Sequence, residues 1–146
     1  MKRLVIDTET TGLSPRFHKT LTVGLLLIDV EKSHLNILDQ NHIFIKHNHY
    51  NASKGAMSVN KIDLIQHNQI AVPPQKACNQ INNFIEKNIL HETPLVGHNI
   101  QFDRGFLNSL FDQATCYQNS TTNTKTQCGY GETSKNKTKS HPEEPT

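Results

Sequence analysis

The sequence is poor in the side chains from which large cores are built. It has no tryptophan, and only 34% of its 146 residues are hydrophobic. Most of these precede residue 115, because residues 115–146 consist almost entirely of Thr, Asn, Gln, Lys, Ser, Gly and Glu. Such a segment cannot bury enough apolar surface to offset the entropy lost on ordering. We therefore expect one folded domain at residues 1–114 and a disordered polar tail at residues 115–146.

Cysteine, net charge and long apolar runs are also scarce. The three cysteines are widely spaced and odd in number, which provides neither a Cys-x-x-Cys zinc pair nor a disulfide framework. A net charge of +2 excludes the strongly basic proteins whose charge alone indicates nucleic-acid binding. The longest apolar run, residues 23–28, is far too short to cross a bilayer, and no secretory signal is evident. We expect a cytoplasmic protein with no membrane partner.

Hydrophobic periodicity predicts an α/β fold. Apolar runs predict strands at residues 2–8, 20–30, 35–46 and 94–98. Helical spacing predicts helices near residues 59–66 and over residues 75–90 and 102–113. A short polar linker joins the second and third strands as a hairpin, and a helical crossover places the fourth strand parallel to the first. The expected sheet is mixed, with three antiparallel strands, one parallel strand and flanking helices.

Two acidic residues stand two positions apart at the end of the first predicted strand. The period of a strand points the carboxylates of Asp7 and Glu9 to the same side. Adjacent like charges are costly unless a cation neutralises them, and carboxylate oxygens suit Mg²⁺ or Mn²⁺. The residues that follow, Thr10 to Gly12, turn the chain sharply, and we expect their backbone N–H groups to meet a phosphate or a terminal nucleotide.

A third acidic residue follows the fourth predicted strand. Asp103 lies in the first turn of a helix, where the helix dipole favours a carboxylate. If the first and fourth strands are neighbours, Asp103 can face Asp7 and Glu9 across the end of the sheet. Three converging carboxylates provide ligands of the kind that a two-metal site for phosphodiester hydrolysis needs.

Two strings carry a resemblance to a known family. VIDTETTGL at residues 5–13 and LVGHNIQFD at residues 95–103 resemble the first two motifs of the DnaQ-like, or DEDD, 3′→5′ exonucleases. That superfamily includes the proofreading epsilon subunit of bacterial DNA polymerase III. The stretch GAMSVNKI at residues 55–62 also looks like its connecting segment. The resemblance implies an RNase H-like fold and hydrolysis of the last phosphodiester bond to release a 5′-mononucleotide.

The resemblance also implies residue roles. Asp7 would bridge two Mg²⁺ or Mn²⁺ ions, Glu9 would bind the ion that activates water, and Asp103 would bind the ion on the leaving-group side. The implied partners are a nucleic-acid 3′ end, above all single-stranded DNA, and a DNA polymerase subunit. Contacts with the substrate are expected from Thr10, Thr11, Gly12, Leu13, His98, Asn99 and Phe102.

The chain departs from the family after residue 114. The family ends with a third motif, a His or Tyr base followed by a fourth carboxylate on a helix. Here His141 is followed by two prolines within four residues, which a regular helix does not tolerate. We expect a C-terminally incomplete domain with impaired activity, and with exposed apolar surface on the sheet and on the helix at residues 102–113.

Three interpretations of function stay open at this point. The first is a DNA exonuclease of the proofreading or repair type. The second is a catalytically degenerate domain that binds a nucleic-acid end or a polymerase, and the third is a 3′→5′ exoribonuclease. Histidines without fixed ligand spacing do not predict a further metal site; they are His42, His47, His49 and His67.

Overall fold

The computed structural model describes residues 1–32 and 34–121, with side chains described as far as Thr115. Its strands are β1 (Lys2–Thr10), β2 (Thr20–Val30), β3 (Leu35–Phe44) and β4 (Leu95–Val96). Its helices are α1 (Lys54–Asn60), α2 (Leu64–Ile70), α3 (Pro74–Asn88) and α4 (Ile100–Thr121).

The strands form a mixed sheet in the order β3-β2-β1-β4. β1 and β2 are antiparallel, as are β2 and β3, while β4 runs parallel to β1 with Leu4 opposite Leu95. The register places Asp7 opposite Gly24, and Gly24 in turn opposite His42. The predicted architecture, with three antiparallel strands and one parallel strand, is confirmed.

The core lies on one face of this sheet, between the strands and helices α3 and α4. Alternate residues of β1 are buried against it, namely Leu4, Ile6, Thr8 and Thr10. The helices contribute buried apolar side chains to the same core, among them Ala77, Ile81, Phe84, Leu110 and Ala114. Because side chains alternate along a strand, Val5, Asp7 and Glu9 point to the other, open face.

Large apolar side chains are exposed on strands β3 and β4 and on the short helices α1 and α2, but not on α4. β3 exposes Leu35, Ile37 and Leu38, and β4 exposes both of its residues. The expectation of exposed apolar surface on α4 was wrong, because Phe106 and Leu110 are buried and the other large apolar residues predicted there are half-buried. Packing of α4 against α3 and β1 accounts for this burial.

Two helices replace the single short helix predicted near residues 59–66. Lys61 ends α1 in the left-handed conformation, with φ of 56°, and its N–H donates to the Met57 carbonyl at 3.0 Å. Asp63 then starts α2, because its carboxylate accepts hydrogen bonds from the backbone N–H groups of Ile65 and Gln66. Neither Lys61 nor Asp63 has helical backbone angles, so the helix is interrupted between residues 60 and 64.

α4 is longer than the predicted helix at residues 102–113. It continues to Thr121, past the boundary placed at residue 114. Ala114 is buried in the core, and the Thr115 hydroxyl donates to the Phe111 carbonyl one turn earlier at 3.0 Å. The rest of the predicted tail, from residue 122 onward, lies outside the described residues. Among the helices of the described part, none combines the length and apolarity needed to cross a membrane.

His47, just after β3, gives the fold a dependence on pH. Its Nε2 donates to the Thr20 carbonyl oxygen at 2.7 Å. Burial lowers the pKa of His47 from 6.5, and the charges of Lys19 and His67 add to this, whereas the bond to Thr20 opposes it. The unfolded chain therefore binds this proton at a higher pH than the folded protein does. The stability contributed by His47 is complete above the unfolded pKa and is lost as the pH falls through the folded one.

We expect His47→Gln to flatten the pH profile of stability. The free energy of unfolding of the unaltered chain should fall more steeply between about pH 7.5 and about pH 5 than that of the variant, which has no imidazole to protonate at this position. Urea titrations followed by circular dichroism at several pH values measure this. Parallel profiles for the two proteins would show that His47 does not contribute.

Candidate functional site

The open face of β1 carries two carboxylates side by side near the end of the strand. Asp7 is exposed and Glu9 is partly buried, with Val5 preceding them on the same face. Partial burial, followed by the neighbouring charge of Asp7, raises the pKa of Glu9, while the charge of His42 acts in the opposite direction. The pair thus carries unfavourable like-charge energy that a bound cation would relieve.

A shallow cleft runs from Asp7 across the sheet to β3. Asp7, Gly24 and His42 stand in one row on three neighbouring strands. Because Gly24 has no side chain, the cleft of about 530 Å³ stays open between Asp7 and His42, with Val5 and Leu26 also lining it. The His42 ring lies 4.5 Å from the ring of Phe44, tilted by 41°, and lines the β3 side of the cleft.

Asp103 is anchored to the neighbouring residue of β1. Its Oδ1 accepts hydrogen bonds from the Thr8 backbone N–H at 3.0 Å and from the Thr8 hydroxyl at 2.7 Å. Only 5% of Asp103 is exposed, so these bonds compensate a carboxylate that has lost most of its water. The side chain projects from the first turn of α4, where the helix dipole also favours a negative charge.

A close approach of backbones keeps Asp103 in this position. Gly97 follows β4, and a Cβ added to it would stand 3.0 Å from the Ile6 carbonyl oxygen and 3.3 Å from Asp103 Oδ2. Any larger residue at this position would press on both β1 and the carboxylate. The glycine in LVGHNIQFD therefore lets the fourth strand and the α4 acid lie together against β1.

The structure brings the three predicted acids to one end of β1, but on different sides of it. Thr8, which binds Asp103, lies between Asp7 and Glu9 in sequence, yet its side chain points to the covered face. Within the described part of the chain, no group of three or more His, Cys, Asp or Glu side chains could hold a metal ion. The pair on the open face nevertheless offers the oxygen ligands that a hard divalent cation prefers.

The loop after β1 differs from the expectation. The Thr11 N–H does not face a ligand but donates to the Lys19 carbonyl at 2.9 Å, and the Thr10 hydroxyl donates to the Gly12 carbonyl at 2.7 Å. All three residues from Thr10 to Gly12 are buried, and a Cβ on Gly12 would collide with the His18 ring. Closure of the loop thus uses the Thr11 N–H, whereas the Leu13 side chain is 82% exposed.

The remaining residues predicted to contact the substrate lie just before α4 and in its first turn. His98 and Asn99 are exposed, and Phe102 is half-buried with its ring 4.8 Å from that of Phe106. The Asn99 carbonyl accepts from the N–H groups of Phe102 and Asp103, which starts the helix. Asn99 therefore has a structural role at the helix start, and its side chain lies at the surface.

Sequence reasoning missed two residues that the structure places at the site. Thr8 has no evident role in the sequence, where it only separates two acids. Its hydrogen-bond partner Asp103 is 95 residues away, and no sequence pattern indicates that contact. His42 was considered only with other histidines. The antiparallel register of two successive hairpins could have placed His42 in line with Asp7, since each strand pairs residue by residue with the next.

The chain is similar to known nucleases in sequence and in fold. Ribonuclease T of Wigglesworthia glossinidia brevipalpis is 29% identical over 124 residues, which cover 76% of this chain and 54% of the relative. The chain thus spans about half the length of the curated relative it matches. Two structures of E. coli exonuclease I, one with a dT13 oligonucleotide and one a zinc-bound complex with single-stranded DNA, match with a TM-score of 0.66.

These structural matches cover 77% of this chain and 24% of exonuclease I at 18% identity, and they show a shared fold. The sequence match is broader. The model of the Exonuclease family aligns with residues 4–144, from the first strand to beyond α4. The alignment includes the whole sheet, the acids of β1 and Asp103. The chain therefore belongs to the Exonuclease family.

Proposed function

We propose that this chain is a 3′→5′ exonuclease domain that releases nucleoside 5′-monophosphates from single-stranded DNA ends with the help of Mg²⁺ or Mn²⁺. The observation that carries the proposal is the pair Asp7 and Glu9 on the open face, at the strand position to which Asp103 is anchored. Membership of the Exonuclease family supports the reaction class. The exonuclease I complexes with single-stranded DNA support the choice of substrate.

The chain's own residues have distinct tasks in this proposal. Asp7 and Glu9 would hold the divalent cations, and the family resemblance implies two of them. Bound divalent ions supply positive charge that offsets the negative charge of the phosphodiester and polarises it toward attack by water. Thr8 fixes the position of Asp103, whose Oδ2 does not take part in the bonds to Thr8 and is the oxygen proposed to complete the ligand set.

Two further candidates each have an observation in their favour. The similarity to ribonuclease T favours an exoribonuclease. The finding that no three-ligand metal group exists among the described residues favours a degenerate domain that binds a nucleic-acid end without cutting it. The roles in proofreading or repair, and a polymerase partner, rest on the resemblance of VIDTETTGL to the epsilon subunit.

The decisive assay follows single strands labelled at either end. With Mg²⁺ or Mn²⁺, a 3′-labelled strand should give labelled mononucleotide at once, while a 5′-labelled strand should give a ladder of shortening products. Chelator should stop both. Asp7→Asn should reduce the rate by about a hundredfold or more, because a metal ligand contributes several kcal/mol to the transition state. Asp112→Asn, which changes an exposed acid of α4, is the matched control and should retain the rate.

The outcomes separate the candidates. Metal-dependent release from DNA that Asp7→Asn abolishes supports the proposal, and a clear preference for the same sequence in RNA supports the exoribonuclease. Binding without release under any metal condition supports the degenerate domain. Release that begins at the 5′ end contradicts all three.

Thr8 gives a separate prediction for the anchoring of Asp103. Thr8→Val keeps the shape of the side chain and removes the hydroxyl that donates to Oδ1 at 2.7 Å. We expect the free energy of unfolding to fall by about 1.5–3 kcal/mol, the range for a hydrogen bond to a charged group. Denaturant titration measures the change.

Thr8→Ser is the control for this prediction, because it restores the hydroxyl and should recover most of the loss. In the nuclease assay Thr8→Val should also be slower than Thr8→Ser. Equal stability of the two variants would show that the hydroxyl does not support Asp103.

A further inference from the structure

The loop between β1 and β2, residues 11–19, is fastened to both acid-bearing elements. At its base, Thr11 and Lys19 exchange hydrogen bonds: the Thr11 N–H donates to the Lys19 carbonyl and the Lys19 N–H donates to the Thr11 hydroxyl, both at 2.9 Å. These bonds continue directly from β1, which carries Asp7 and Glu9. The base of the loop is therefore closed by hydrogen bonds that extend the β1–β2 strand pair.

The middle of the loop rests on α4. The Ser109 hydroxyl donates to the Pro15 carbonyl at 3.0 Å, and the Pro15 ring lies 3.5 Å from where a Cβ on Gly105 would stand. Gly105 is two residues after Asp103, and Ser109 is about one turn further along the helix. The loop thus spans from the strand of Asp7 and Glu9 to the helix of Asp103, at a fixed distance from both.

The outer side of this loop presents an aromatic ring paired with a cation. Phe17 is 58% exposed, and the guanidinium carbon of exposed Arg16 lies 5.4 Å from the centroid of its ring. A turn holds the pair in place, because the N–H groups of Phe17 and His18 both donate to the Ser14 carbonyl, at 3.1 and 2.8 Å. The core uses neither side chain, and exposing a large apolar ring has a cost in water that a ligand would remove.

We propose that Arg16 and Phe17 form a binding platform for single-stranded nucleic acid. Phe17 stacks on a base and Arg16 contacts the adjacent phosphate. Every base offers a π-face and every nucleotide a phosphate, so the pair recognises the strand without reading its sequence. The platform holds the segment whose 3′ end enters the site of Asp7 and Glu9, and in that respect the inference rests on the proposed function.

Binding measured without cleavage tests the platform. We expect the full chain, in chelator, to bind a fluorescent single-stranded oligodeoxythymidylate in an anisotropy titration. Phe17→Ala should weaken the affinity by at least about fivefold, the lower end of what base stacking contributes. Phe17→Tyr, which retains the ring, should bind nearly as the unaltered chain does.

The salt dependence identifies the phosphate contact. Arg16→Gln should reduce the slope of log affinity against log salt by about 0.7, the value for one phosphate on a single strand. Phe17→Ala should leave that slope unchanged. A merely structural role of Arg16 would lower the affinity without this change of slope.

Matched controls lie at the opposite end of the sheet. Leu35→Ala truncates an apolar residue that is 59% exposed, close to the 58% of Phe17. Lys32→Gln removes a cation from the turn before β3. Both should retain the affinity and the salt slope, since an 11-residue strand separates them from the loop.

The outcomes separate this inference from the proposed function. Affinity for the oligonucleotide that depends on Phe17 and Arg16, without nucleotide release in the assay with Mg²⁺ or Mn²⁺, supports the platform and contradicts the nuclease. Release of mononucleotides with equal affinities for Phe17→Ala, Arg16→Gln and the unaltered chain overturns the platform alone. No detectable binding of the oligonucleotide by the unaltered chain also overturns it, and the exposed pair would then suit a protein partner.

Discussion

The two hydrogen bonds from Thr8 to Asp103 join parts of the chain that are 95 residues apart. They connect the first strand with the last described helix, and they supply hydrogen-bond donors to a carboxylate that is almost fully buried. The same contact holds the first turn of α4 against β1. The loop at residues 11–19 is then supported from two sides, because α4 lies where Ser109 and Gly105 can meet Pro15.

The two faces of β1 carry different kinds of side chain. The covered face contributes to the core, and the open face carries the two acids Asp7 and Glu9. On the covered face, Leu4 and Ile6 pack into the core and Thr8 satisfies Asp103. On the open face, partial burial and the charge of Asp7 raise the pKa of Glu9. Alternation along a single strand thus separates the hydrogen-bond donors that hold Asp103 from the two like-charged carboxylates of the open face.

Much of the fold could be predicted from the sequence, because its signals are local. The continuous apolar run of β2 and the Pro73–Pro74 helix start each determine an element without reference to the rest of the chain. The elements that differed depend on specific caps or on distant contacts. Lys61 adopts a left-handed conformation that no sequence pattern requires, and α4 extends beyond residue 113, where Ala114 is buried in the core.

The candidate site was predictable to a lesser degree. The placement of Asp7 and Glu9 on one side of a strand follows from its period, and the structure has this arrangement. The distribution of the acids over two sides of β1 does not, since Asp103 is directed by Thr8 and by the close approach of Gly97. Likewise, the closure of the loop by Thr11 and Lys19 uses a backbone N–H group that the sequence predicts to face a ligand.

Gly24, in the middle of the row from Asp7 to His42, makes the width of the cleft adjustable. A methyl group there would lie 3.6 Å from the Asp7 carbonyl oxygen and 3.9 Å from Asp7 Cβ, which is ordinary van der Waals contact. Alanine would therefore fit without displacing β1, while a longer side chain would fill the space between the acid and the imidazole. One position on a neighbouring strand can thus change which ligands reach the acids without altering any acid itself.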